Sequence, residues 1–207
     1  YEALKELTRG KNVIDKTIEK FGGIDILVNN ASAISLTPTE QTDPKRFDLM
    51  YSINVRGTFF ITKACIPHLK KSTNAHILTL SPPVNLNPKW FKGHIAYTLT
   101  KYNMSMMTMG WATELKQYNI AANALWPKTT IDTAAVRNLL GGETLAKMSR
   151  TPEILADAAF YIFSKAAALC TGNCFIDEEV FAKEGVTDLS KYSVVPGAQL
   201  YTDLFVD

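Results

Sequence analysis

Tyr97 and Lys101 stand four residues apart, a spacing that puts both side chains on one face of an α-helix. An ammonium held beside a phenol stabilises the phenolate and lowers a pKa that is ordinarily about 10. Such a pair can move a proton to or from a carbonyl or alcohol oxygen, which is general acid–base chemistry. The same Tyr-x-x-x-Lys spacing recurs at Tyr1/Lys5 and Tyr161/Lys165, so spacing alone selects none of the three. Context favours the middle pair. It follows a strand-like run at residues 76–80, whereas the other two read as ordinary helix-surface pairs.

The elements that must position this pair are legible from periodicity and punctuation. Leu4, Leu7, Val13, Ile14 and Ile18 have helical spacing, and Gly22-Gly23 stops that helix. Residues 24–30 form a short apolar strand of the kind buried on both faces in parallel sheets. Asp43 as N-cap and Pro44 in the first turn open a helix through Phe47, Met50, Ile53, Phe59, Phe60 and Ala64 until Pro67 disturbs it. A Pro- and Asn-rich loop at 81–90 leads into a long helix over about 96–118, and 120–125 is strand-like. Residues 128–150 read as a mobile connection holding a short helix. Thr151-Pro152-Glu153 caps another helix to about Lys165, and 173–176 is a last strand. Beyond Asp177 the pattern is poor, and a loop over the surface is expected. This alternation predicts right-handed βαβ units on an open parallel sheet, an α/β fold in a single domain over 1–207.

The bulk numbers exclude several classes. With 46% hydrophobic and 20% charged residues the chain has an ordinary globular composition. A net charge of +2 with scattered lysines makes no basic stripe, so nucleic acid is not an expected partner. Three sparse cysteines, Cys65, Cys170 and Cys174, read as reduced, buried thiols of an intracellular protein. Cys170 and Cys174 lack a second pair, and His76 and His94 stand alone, so no metal site is expected. Met104, Met106, Met107 and Met109 read as packing. No apolar run approaches the roughly 20 residues of a membrane span, and the Glu-bearing opening segment resembles no signal or typical transit peptide.

Four motifs in order resemble the classical short-chain dehydrogenase/reductase family: Asp25 to Ser32, Asn54 within Ile53-Asn-Val-Arg-Gly57, Tyr97 with Lys101, and Leu125-Trp-Pro127. Segments 31–37, 81–88 and 124–129 are similar to one hydroxysteroid dehydrogenase-like branch of it, over nearly the whole chain. The resemblance implies a Rossmann-like doubly wound parallel sheet and an oxidoreductase that interconverts an alcohol and a ketone on a lipid-like or steroid-like substrate with NADP or NAD. It makes Tyr97 the proton donor or acceptor, Lys101 the group that lowers its pKa and holds the nicotinamide ribose, and Asn54 the holder of a relay water. Asn29 and Ala31 line the adenosine side of the cofactor groove, and Pro127 and Thr133 border the nicotinamide. It also implies a homo-oligomer with a helical dimer face, and a peroxisomal or mitochondrial location.

Two departures qualify this. The family's catalytic serine falls at Val84 counting back from Tyr97, or at Pro82 counting from the strand end. Ser81 is then the best candidate to orient the substrate oxygen, with Asn85 or Asn87 as substitutes. None of the eleven glycines forms the Gly-rich turn that seats a dinucleotide pyrophosphate on a helix N-terminus. By comparison with the family the sheet lacks its first strands, leaving an open apolar edge at 24–28 and poor stability in isolation. The alternative reading is a non-catalytic structural subunit of a larger assembly whose partner covers that edge.

Overall fold

The computed structural model describes residues 2–207, with side chains described from Asn12 onward, so the Tyr1/Lys5 pair lies outside the described residues. Strands β1 (Ile26–Asn29), β2 (Ala75–Leu80), β3 (Ile120–Trp126) and β4 (Cys174–Ile176) alternate with helices α1 (Glu2–Phe21), α2 (Pro44–Met50), α3 (Thr58–Leu69), α4 (Ile95–Glu114), α5 (Gly142–Lys147), α6 (Glu153–Phe163) and α7 (Asp177–Lys183). All strand pairings are parallel in the order β1-β2-β3-β4, a Rossmann-like α/β sheet. Parallel neighbours cannot be joined by hairpins, so the helices serve as crossovers and bury the sheet between them. Every residue of β3 is buried in consequence.

Each face has its own core. On one, α1, α3 and α4 bring Ile14, Leu69, Trp111 and Leu115 against Ile77 and Ile120. On the other, α6 and α7 bring Ile154, Ala158, Ile162 and Phe181 against Leu78 and Leu125. The outer strand β1 leaves Ile26 and Val28 more than 40% exposed, which is the open apolar edge expected from the sequence. Among the described residues no helix is long and apolar enough to cross a membrane.

Local chemistry explains the helix boundaries. Gly22 adopts φ +80 and donates to the Ile18 carbonyl, closing α1. Asp43 Oδ1 accepts from the backbone N–H of Lys45 and Arg46 at 2.8 and 3.1 Å, capping α2 beside Pro44. From α2 the chain passes through a π-helical segment, Tyr51–Gly57, directly into α3. Pro67 is carried inside α3, which runs on to Leu69 at the cost of the i→i−4 hydrogen bond that an N–H at this position would make.

Two expectations need correction. The chain beyond Asp177 is not all loop, because it opens with α7. Asp177, Glu178 and Glu179 favour its N-terminal dipole, while Val180 and Phe181 bury its inner side. Residues 128–150 hold a π turn, Val136–Leu140, as well as α5, and are tied down by bridges of Ile131 to Arg150 and of Arg150 to Ser193.

Candidate active site

The buried face of α4 is polar, carrying Tyr97, Thr98, Thr100, Lys101, Ser105 and Thr108. These groups pin the helix to the sheet. Thr108 Oγ1 donates to Thr79 Oγ1 at 2.9 Å, and Ser105 Oγ donates to the Pro82 carbonyl at 2.5 Å. Tyr97 and Lys101 are thereby fixed at the carboxyl ends of β2 and β3. Lys101 Nζ donates to the Leu80 carbonyl at 2.9 Å and stands 5.1 Å from the centroid of the Trp126 ring. Tyr97 is 4% exposed, and among the described residues its hydroxyl has no hydrogen-bond partner.

Both side chains line a cavity of about 1240 Å³, which Pro127, Thr133, Asp203 and Leu204 also border. Its remaining walls are mostly aliphatic. Val28 and Leu78 of the sheet and Ala159 and Phe163 of α6 are among them. That breadth carries the volume past the roughly 300–1,000 Å³ of an ordinary small-molecule site.

Burial, seconded by the Asp203 carboxylate, holds the Tyr97 phenol well above the usual phenol range. Burial pushes Lys101 down to about 8, against the pull of Asp203 in the other direction. Asp203 is pushed up to about 6 by desolvation, offset in part by the Leu204 N–H and by Lys101. The expected lowering of the Tyr97 pKa is therefore corrected. Lys101 gives a hydrogen bond to Leu80, and a buried phenol beside a carboxylate resists ionisation.

The other sequence candidates are dispersed around this centre. Asn54 is fully buried in the π-helical segment; its Oδ1 accepts from Ala33 N at 2.7 Å while its Nδ2 donates to Ala33 O and Thr100 Oγ1. Ser81 is fully buried with an unpartnered Oγ and does not line the cavity. Asn85 holds Tyr102 and Asn87, and Asn87 caps a 3₁₀ turn, so both serve their own loop. Asn29 turns toward Thr62 and Thr79 on the α3 side of the sheet; Asn30 and Ser32, not Asn29 and Ala31, border the cavity. Tyr161 packs against Phe181 and Lys165 pairs with Glu184, which makes neither a plain surface residue of one helix. His76 contacts the Lys165 carbonyl and Phe163, and His94 contacts Thr98. Of the four methionines, Met104 is buried, but Met106 and Met109 are 63% and 50% exposed.

The segment 201–207 was invisible to periodicity. It crosses the mouth of the site: Thr130 N donates to Tyr201 O at 2.9 Å, Asp203 N to Lys128 O at 3.1 Å and Trp126 Nε1 to Leu204 O at 2.8 Å. Phe205 is buried with its ring centroid 6.3 Å from Tyr97, 5.4 Å from Tyr102 and 6.0 Å from Trp126. Lys89 and Lys128 both engage Asp207. The only local signal was an apolar Leu-Phe-Val run bracketed by Asp203 and Asp207.

The sequence profile described as short chain dehydrogenase matches residues 4–143. Hydroxysteroid dehydrogenase-like protein 2 of Danio rerio is 55% identical over 196 residues, covering 95% of this chain and 46% of its own length. The protein of that name from Homo sapiens is 55% identical over 194 residues, covering 94% and 46%. The chain spans less than half the length of these curated relatives. The crystal structure of a short chain dehydrogenase from Mycobacterium thermoresistibile superposes with a TM-score of 0.89 at 50% identity, covering 97% of this chain and 71% of that one.

Proposed function

The chain belongs to the short-chain dehydrogenase family, and on that premise we propose that it interconverts an alcohol and a ketone on a lipid-like or steroid-like substrate, with Tyr97 as general acid–base and NADP or NAD as the redox partner. The observation that carries this reading is the unpartnered Tyr97 hydroxyl in the same cavity as the Lys101 ammonium. Aliphatic walls from Leu139, Leu140 and Leu204 suit an apolar substrate.

The residues fit a nicotinamide cofactor on its reacting side. Lys101 has used one of three N–H donors, and Pro127 and Thr133 border the same end. These three would hold the nicotinamide and its ribose, and Asn30 and Ser32 the more distant part. When bound, the cofactor supplies or takes the hydride. The phenol, protonated at neutral pH, gives its proton to the carbonyl oxygen in the reducing direction. Lys101 stabilises the phenolate left behind. Asn54 and Ser81 lie outside the cavity lining, so neither is given a direct part; Asn54 supports Tyr97 through its bond to Thr100 Oγ1 on the same helix. The relatives' name suggests a hydroxysteroid-type substrate, and a peroxisomal or mitochondrial location and a homo-oligomer belong to the same reading.

The test is turnover of a panel of steroid and long-chain ketones by the full-length protein with NADPH or NADH. Wild type should reduce at least one of them and Tyr97→Phe should not. Failure of the full-length protein to bind either cofactor would remove the proposal.

A further inference from the structure

Besides Tyr97 and Lys101, the ionisable side chains lining the cavity are Tyr201 and Asp203, and both come from a segment about a hundred residues away in sequence. The place of Asp203 is not accidental to one contact. The backbone around it is held by Thr130, Lys128 and Trp126, and Phe205 locks the segment among Tyr97, Tyr102 and Trp126. Asp203 Oδ1 accepts from Leu204 N at 2.6 Å, and among the described residues Oδ2 has no donor. The charged and titratable groups around it are Tyr97 and Lys101 on α4, Lys128 after β3, Asp177 at the start of α7 and Tyr201 on its own segment, with Asp207 farther along and bonded by Lys89 and Lys128.

We propose that Asp203 is a positioning residue for the reaction assigned above: its carboxylate balances the Lys101 ammonium at the cavity rim and keeps the Tyr97 proton in place until a substrate oxygen takes it. The inference rests on that functional reading and adds a residue to it. In the reducing direction the Tyr97 O–H bond breaks as the substrate oxygen gains the proton, the bound nicotinamide being the group that would supply the hydride to the carbon. The negative charge then passes to the phenolate. Lys101 must be charged at that moment, yet it is buried and close to losing its proton near neutral pH. A carboxylate in the same cavity opposes that loss.

The experiment is the pH profile of reduction by the full-length Asp203→Asn protein, with Asp203→Glu and Asp203→Ala beside it. Without the carboxylate both Lys101 and Tyr97 lose protons more readily, so the alkaline limb of kcat should move down by about one pH unit or more. KM for the ketone should change less, and Asp203→Glu should restore the limb. An unmoved limb in either Asp203→Asn or Asp203→Ala overturns the inference. Full activity in Tyr97→Phe would instead overturn the functional reading itself.

Discussion

Lys101 Nζ donates to the carbonyl oxygen of Leu80 at 2.9 Å, so the last residue of β2 and the middle of α4 are joined at the reacting end of the sheet. The bond orients the ammonium and satisfies a strand-end carbonyl that has little other recourse. Replacing Lys101 by Met keeps the stem but strands that carbonyl and removes the charge. Turnover should fall about 10²–10⁴-fold, and thermal denaturation should show a loss of about 1–3 kcal/mol.

Tyr97→Phe should behave differently. The hydroxyl has no protein partner to lose, so the melting temperature should stay within a degree or two of wild type while turnover falls by at least about 10²-fold. A large drop in stability would mean that the phenol is held by the fold and is not free to react.

Asp177 is fully buried, accepts from the backbone N–H of Lys128 and of Glu178, and has one oxygen unpartnered. Desolvation raises its carboxyl to about 6 in the folded protein, from 3.8. A carboxylate raised on folding opposes stability above the folded pKa, and that opposition is relieved as pH falls from about 6 toward 4. Asp177→Asn should therefore melt higher than wild type at pH 7.5, by up to about 3 kcal/mol, and the gap should close by about pH 4. Calorimetry across that range decides it; a gap that grows toward acid contradicts the argument.

Phe205 is buried in an aromatic ring of neighbours although its backbone stands at φ 72, a conformation that costs a non-glycine residue about 1–2 kcal/mol. The packing must outweigh that cost. Phe205→Ala should destabilise the protein by about 3–5 kcal/mol and, by freeing Asp203 and Leu204, raise KM for the ketone. Equilibrium unfolding and Michaelis kinetics on the same preparation test both halves.

Leu99, Met106 and Met109 leave an apolar stripe exposed on α4, and Phe59 of α3 is exposed beside it. If the assembly is a homo-oligomer through these helices, Met106→Glu should shift the full-length protein to monomer in light scattering. An unchanged mass would move the interface elsewhere.

The amino-acid sequence by itself determined the order of the four strands and of the helices as far as α6, because doubly buried strands must be short apolar runs and helix ends must be capped. Asp43 beside Pro44 and Gly22 at a positive φ are local solutions to local hydrogen-bonding demands, so they are readable residue by residue. The Tyr97–Lys101 pair was legible for the same reason: one helical turn carries both. Alternation along β1 could also have told that Asn29 and Asn30 face opposite sides, which is why one meets Thr62 and the other the cavity. What only the tertiary structure decided was the electrostatic setting of the phenol. Asp203 and Phe205 reach Tyr97 through contacts over a hundred residues apart in sequence, and no periodicity encodes such a meeting. The pKa of a buried group depends on how much water and which charges the whole fold leaves around it, and neither is a property of its neighbours in the chain.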